Sequence, residues 1–184
     1  MISITRETRE TRVRVTLALV PAAPDAAPRI ATGEPFLDHM LVTFARYAGL
    51  GLHVEATGDL KHHVVEDVAI TLGEALRRLV PTTCARYGEH TVPMDDALVQ
   101  AALDAGGRAW YEGRLPSALY EHWFRSFADA ARLTLHVRVL RGRDRHHVIE
   151  AAFKAVGLAL RRALADGGAV FSTKGAVSLR EDGC

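Results

Sequence analysis

Two segments of the chain carry one metal-ligating pattern: His62-His63-x-x-Glu66 and, 84 positions on, His146-His147-x-x-Glu150. On a helix, residues three or four apart lie about one turn from each other, so each glutamate falls beside the histidines before it. Adjacent histidines diverge by roughly 100° on a helix of about 3.6 residues per turn, so one ion rarely takes both. The geometry points to two metals per site, with each pair reaching to both. Imidazole and carboxylate donors without thiolate suit Mn, Fe, Co or Zn. One copy alone is a weak signal; two in one chain are a strong one.

The repeat is wider than the motif. Phe36-Leu-Asp-His-Met-Leu-Val-Thr-Phe44 leads to His53, and Tyr120-Glu-His-Trp-Phe-Arg-Ser-Phe127 leads to His136. His39 and His53 are fourteen apart, as are His122 and His136, with an offset of 83 before the histidine pairs and 84 after. An internal repeat fixes the architecture before any single element does. It predicts an α+β protein of two similar halves from an internal duplication, each a small sheet covered by two helices and packed as one unit. The halves are expected at 1–92 and 93–184, with a tail from about 167. Alternation predicts strands at 11–20, 50–57, 96–104, 108–112 and 132–140. Helical spacing predicts helices at 35–48, 61–79, 118–131 and 146–165, with a loop over 21–34 and a turn-rich connector over 81–92. Phe36, Phe44, Trp123, Phe124 and Phe127 read as core.

Bulk properties exclude several classes. The chain has 184 residues, 48% of them hydrophobic, enough for one good core or two small ones. A net charge of +1 gives no electrostatic case for nucleic acid or a membrane surface. No apolar run approaches the roughly 18 residues of a membrane span, and the start is too polar for a secretory leader. The expected location is the cytoplasm. Cys84 and Cys184 are too few for a disulfide framework, and nothing near Cys84 supplies a base. Of 23 basic residues only Lys61, Lys154 and Lys174 are lysines. Each falls in a segment notable for other reasons, where a compact ammonium beside a phosphate is one use that arginine does not serve.

An ordered set of further motifs carries a family resemblance. Phe36-Leu-Asp-His-Met40, both His-His-x-x-Glu segments, Ala85-Arg86-Tyr-Gly88, Pro93-Met-Asp95, Gly107-Arg108, Phe153-Lys-Ala155 and Ser172-Thr-Lys-Gly175 follow one another. This order resembles imidazoleglycerol-phosphate dehydratase of histidine biosynthesis, from the opening Arg6-x-Thr8-x-Glu10-Thr11 to about residue 176. The resemblance implies a hydro-lyase with two manganese ions per active site. It also implies active sites between subunits in a homo-oligomeric shell, a 24-mer. The metal ligands it implies are His39, His62, His63 and Glu66, with His136, His146, His147 and Glu150. His53 and His122 are left out as surface or packing residues. Arg86, Arg108, Lys154, Ser172 and Lys174 match positions that line the substrate and its phosphate.

The implied substrate is D-erythro-imidazole-glycerol phosphate, dehydrated to imidazole-acetol phosphate. Lewis-acid metals at the imidazole nitrogens would favour an imidazolate and ease loss of the hydroxyl. Glu10 is the leading candidate for a proton shuttle, with Glu66 and Glu150 as alternatives that double as ligands. Rival readings are a metal-dependent hydrolase or dehydratase of another phosphorylated small molecule, or a shell in which metals only join subunits.

Several positions depart from the family pattern. Only Lys61 separates Gly58-Asp59-Leu60 from His62, where the family has more residues and a carboxylate beside the pair. Losing a carboxylate that orients a ligand histidine would lower metal affinity about tenfold. Thr43 and Tyr47 stand where Gln and His are usual, Asp96 replaces a Glu, Gly106 a Ser, and the stretch from Trp110 to Glu121 is shortened.

Overall fold

The structure is a computed structural model and describes residues 1–19 and 27–168. Strands β1 (Ile2–Glu7), β2 (Thr11–Ala18), β3 (Arg29–Ala31) and β4 (Gly51–Gly58) form one sheet, with α1 (Pro35–Ala48) and α2 (Lys61–Arg77) on it. Strands β5 (Tyr87–Met94), β6 (Ala97–Asp104), β7 (Trp110–Gly113) and β8 (Thr134–Arg141) form a second, with α3 (Ala118–Ala131) and α4 (Arg145–Ala163). The strand orders are β1-β2-β4-β3 and β5-β6-β8-β7, the same arrangement twice. In each, the short strand runs parallel to its neighbour and the other pairings are antiparallel. The duplicated α+β architecture read from the repeat is the one found.

Boundaries differ in three places. The loop expected over 21–34 contains β3, which reaches only from Arg29 to Ala31 and takes its register from β4. The opening residues add β1, whose alternation was not read as a separate strand. The connector expected over 81–92 holds most of β5, whose Gly88 and Pro93 disguise a strand. Its eight pairs with β6 override those weak strand formers. The two sheets therefore part between Arg77 and Tyr87, and β5 goes with the second.

Alternation puts Val13, Val15 and Leu17 of β2 inward, and Leu135 and Val137 of β8 likewise, all at most 1% exposed. Against them sit Phe44, Trp123, Phe124, Phe127 and Phe153, all fully buried. Phe36 is only partly buried, its ring edge-on to His146 at 5.3 Å.

The helices cross between halves: α2 packs on α3, and α1 on α4. Both crossings close on a glycine. A Cβ at Gly73 of α2 would lie 2.7 Å from the Phe127 carbonyl oxygen and 2.7 Å from the Ala130 methyl. A Cβ at Gly157 of α4, 84 positions on, would lie 3.0 Å from the Phe44 carbonyl oxygen. Each glycine thus gives up helix propensity for backbone contact across the repeat.

Candidate metal centres

Because the helices cross, each histidine pair meets a histidine from the other half. At the start of α2, His62 and Glu66 face His122 of α3; at the start of α4, His146 and Glu150 face His39 of α1. In both groups one donor atom per residue lies within 4.8 Å of the others. Glu66 presents both oxygens, Oε1 at 3.2 Å from His122 Nε2 and Oε2 at 3.6 Å from His62 Nε2. The His62 and His122 rings stack at 5.2 Å. Glu150 presents Oε2 to both His146 Nε2 (3.1 Å) and His39 Nε2 (3.4 Å), while its Oε1 meets Lys154 Nζ at 3.0 Å.

These residues fit a divalent metal. Each group is two imidazoles and a carboxylate, a donor set suited to Mn, Fe, Co or Zn. His122 Nε2 is buried and has no hydrogen-bond partner among the described residues, although the Glu66 carboxylate lies beside it. A buried ring nitrogen without a hydrogen bond carries a desolvation cost of about 1–3 kcal/mol, which a bound cation would remove.

The second histidine of each pair turns elsewhere, as the roughly 100° divergence requires. His63 Nδ1 is 2.8 Å from Asp59 Oδ1 and 3.7 Å from Glu10 Oε2. His147 Nδ1 is 2.8 Å from Asp96 Oδ1, and its Nε2 is 3.3 Å from Asp95 Oδ2. The Asp59 hydrogen bond raises the pKa of His63, and the Asp96 bond raises that of His147. In return His147, with the Arg143 and Asp144 amides, pulls Asp96 down to about 2. For Glu150, burial works to raise the pKa, but Lys154 and His39 outweigh it and hold the carboxylate ionised. A carboxylate held on Nδ1 fixes the orientation of the ring. One turn before His63, just after β4 ends, Asp59 supplies the carboxylate on that histidine's Nδ1. The helix starts differ between the pairs: Asp144 caps α4 by accepting from the His146 and His147 amides, whereas Leu60, in the same position before α2, offers no side-chain cap.

His136 does not join either group. Leu135 and Val137 face the core, so the strand must point His136 to the opposite, exposed face of β8. Among the described residues the fold brings His122, read as a surface or packing residue, beside His62 and Glu66, and leaves His136 apart from them. The signal for His122 was in the repeat, since it stands 83 positions after His39. His53, the repeat mate of His136, is exposed on the outer face of β4 in the same way.

Of the expected phosphate residues, those among the described residues do not gather in one place. Arg86, in a left-handed backbone conformation with φ 71°, forks Nε and Nη2 onto Asp104 at 2.7 and 3.0 Å. Arg108 lies at the same end of the second sheet, its carbonyl accepting from Thr134. Lys154 lies at the far end beside Met94, its Nζ 3.5 Å from the Met94 sulfur. Strand β5 separates Arg86 from Met94, a span of roughly 25 Å at about 3.3 Å per residue. Ser172 and Lys174 lie outside the described residues. Glu10 sits in the β1–β2 turn, where Thr8 Oγ1 accepts from the Glu10 and Thr11 amides at 3.1 and 3.0 Å. Buried Asp67 of α2 anchors that turn, accepting from Arg6 Nε (3.0 Å) and the Thr11 hydroxyl. Thr43 is buried, while Tyr47 is partly exposed beside Lys154. Among the described residues no helix is long and apolar enough to cross a membrane.

A duplicated α+β chain with two crossed groups of two histidines and a glutamate is a scaffold suited to metal-assisted chemistry. The imidazoleglycerol-phosphate dehydratase family model matches residues 32–160. The chain is 47% identical to imidazoleglycerol-phosphate dehydratase of Pyrobaculum calidifontis, over 95% of this chain and 98% of that protein. It is 45% identical to the Salinibacter ruber enzyme of the same name, over 96% of this chain and 95% of that one. The Pyrococcus furiosus structure, solved in complex with (S)-C348, superposes with a TM-score of 0.83 at 38% identity, over 95% of this chain and 100% of that one. The Staphylococcus aureus structure gives 0.77 at 33% identity, over 90% of this chain and 99% of that one. The chain belongs to the imidazoleglycerol-phosphate dehydratase family of hydro-lyases.

Proposed function

We propose that this enzyme dehydrates D-erythro-imidazole-glycerol phosphate to imidazole-acetol phosphate in L-histidine biosynthesis, using two Mn²⁺ ions per active site. The observation that carries the reading is the pair of His–His–Glu groups recurring at the same place in both halves of a family member. His62, Glu66 and His122 would hold one metal, and His39, His146 and Glu150 the other. When bound, such ions supply Lewis acidity to the imidazole ring of the substrate.

The chain's own residues do the rest. Three donors leave coordination positions open at each centre, and His63 and His147 face away from their own groups. A second copy would bring those imidazoles to it. Arg86 and Arg108 would likewise reach the site from a different copy than Lys154, since one chain holds them at opposite ends of β5. This supports active sites between subunits of a homo-oligomer, and a closed 24-mer is the form proposed. Arg86 and Arg108, with Lys154, Ser172 and Lys174, would bind the phosphate. Glu10, fixed in its turn by Thr8 and anchored through Thr11 to Asp67, lies close to His63 and is the residue proposed to move the proton at the carbon beside the departing hydroxyl.

The test is dehydratase activity of the purified chain, stripped of metal and resupplied with Mn²⁺. Manganese-dependent formation of imidazole-acetol phosphate is expected, and a generic phosphomonoester should remain intact. Metal-loaded, assembled protein that turns over only the phosphomonoester would overturn the reading.

A further inference from the structure

The two metal centres are near copies, so a charge present at only one of them sets them apart. Most charges around them are matched. Lys61 precedes the first histidine pair and Arg145 the second. Asp59 and Glu10 flank His63; Asp96 and Asp95 flank His147. Lys154 has no counterpart. Its repeat mate, 84 positions earlier, is Ile70, four residues after Glu66 as Lys154 is four after Glu150.

That lysine is held firmly. Its side chain is 17% exposed, with Nζ 3.0 Å from Glu150 Oε1, 3.5 Å from the Met94 sulfur and 5.8 Å from the Tyr47 ring centre. Tyr47 belongs to this chain's departures from the family pattern, and its repeat mate is Ala130, which offers no ring. The consequence is visible in the carboxylates. Glu66 turns one oxygen to each of its histidines, whereas Glu150 has one oxygen taken and must serve both histidines with the other. Counting formal charge, the His62–Glu66–His122 group carries one negative charge. The His39–His146–Glu150 group with Lys154 carries none. A cation facing a low-exposure carboxylate is poorly screened, so it opposes an arriving divalent ion directly.

We propose that Lys154 is a positioning residue that makes the centres unequal: the His62–Glu66–His122 centre fills with divalent metal first, and the His39–His146–Glu150 centre second. This rests on the reading that both groups bind metal. The size expected is that of other residues acting on a metal through its ligand, roughly tenfold to a hundredfold in affinity. Tyr47 and Met94 keep the ammonium in place by enclosing it.

The experiment is a calorimetric titration of metal-stripped protein with Mn²⁺, with free Mn²⁺ followed by electron paramagnetic resonance. Wild type should show two classes of site, one of each per chain. Glu66→Gln should remove the tight class and Glu150→Gln the weak one. Lys154→Gln keeps a donor toward Glu150 without the charge, and should tighten the weak class until the two nearly merge. Lys154→Met should do the same, and Lys154→Arg should keep them apart; circular dichroism checks that each variant folds. A single class in wild type, unchanged spacing in both neutral variants, or loss of the weak class in Glu66→Gln overturns the proposal while leaving the metal reading intact. No Mn²⁺ bound by folded wild type overturns both.

Discussion

His122→Ala and His136→Ala should behave in opposite ways. Both remove an imidazole from the second half, fourteen residues apart in the chain. His122 Nε2 is buried without a hydrogen bond, so what its removal costs is ring packing on His62 at 5.2 Å and the 3.2 Å approach to the Glu66 carboxylate. The folding cost should stay near 1 kcal/mol, a typical single-site value, or a fall of roughly 2–4 °C in Tm for a chain of this size. The metal cost should be far larger. Losing a residue that only supports a ligand costs about 10–100-fold in affinity, so losing one of three donors should cost at least about a hundredfold. His136 stands on the exposed face of β8 and joins neither group, so its removal should change stability by less than about 0.5 kcal/mol and metal binding not at all. The assay is tightly bound Mn²⁺ per chain after stripping, reloading and desalting, with Tm in parallel. His122→Ala should lose half the metal and His136→Ala none. The reverse pattern would refute the centre drawn here, and loss in both variants would mean that β8 feeds the site through a contact this fold does not contain.

Other expectations are more local. Gly73→Ala gains helix propensity worth about 1 kcal/mol, yet its Cβ would sit 2.7 Å from the Phe127 carbonyl; net destabilisation of about 1–2 kcal/mol in denaturant titration is expected, and less for Gly157→Ala, where the approach is 3.0 Å. The Arg86 fork holds the Asp104 carboxyl below its usual value of 3.8. Its contribution to stability is therefore complete above pH of about 4 and is lost as pH falls through the lowered folded value. Asp104→Asn should flatten that acid limb of a Tm-versus-pH series, and an unchanged limb would show the pair to be idle. Glu10→Gln should abolish turnover with metal content intact; loss of metal instead would assign Glu10 to holding His63.

Much of the fold was legible because the repeat doubles every signal. Helices over 35–48 and 118–131 were readable to the residue, their apolar spacing being strong and their ends sharp. What escaped were elements defined by partners. The three residues of β3 have no alternation to read, and β5 carries Gly88 and Pro93, yet both strands are completed by pairing. For the site, local spacing pointed to both histidines of each pair and to Glu66 and Glu150, and one turn of helix does hold His62 beside Glu66 and His146 beside Glu150. It could not point to the third residue of each group, which arrives from the other half through helix crossing. His39 came from the resemblance, and His122 was set aside although the 83-residue offset pointed to it. The Asp59 and Asp96 contacts depend on where a strand ends or a turn closes, which no periodicity reports.

Each centre takes two residues from one half and one from the other, and each half lends a helix to its twin. Neither half alone holds a complete group, so severing the chain between Arg77 and Tyr87 would leave each group short of a residue until the fragments met. The same crossing describes a shorter protein: a single half-length chain pairing with itself about a two-fold axis would already own both centres, identical by symmetry. Fusing the copies end to end adds no ligand. It ends the obligation to be identical, and Ile70, at the position where the other half has Lys154, is one place where the two halves differ.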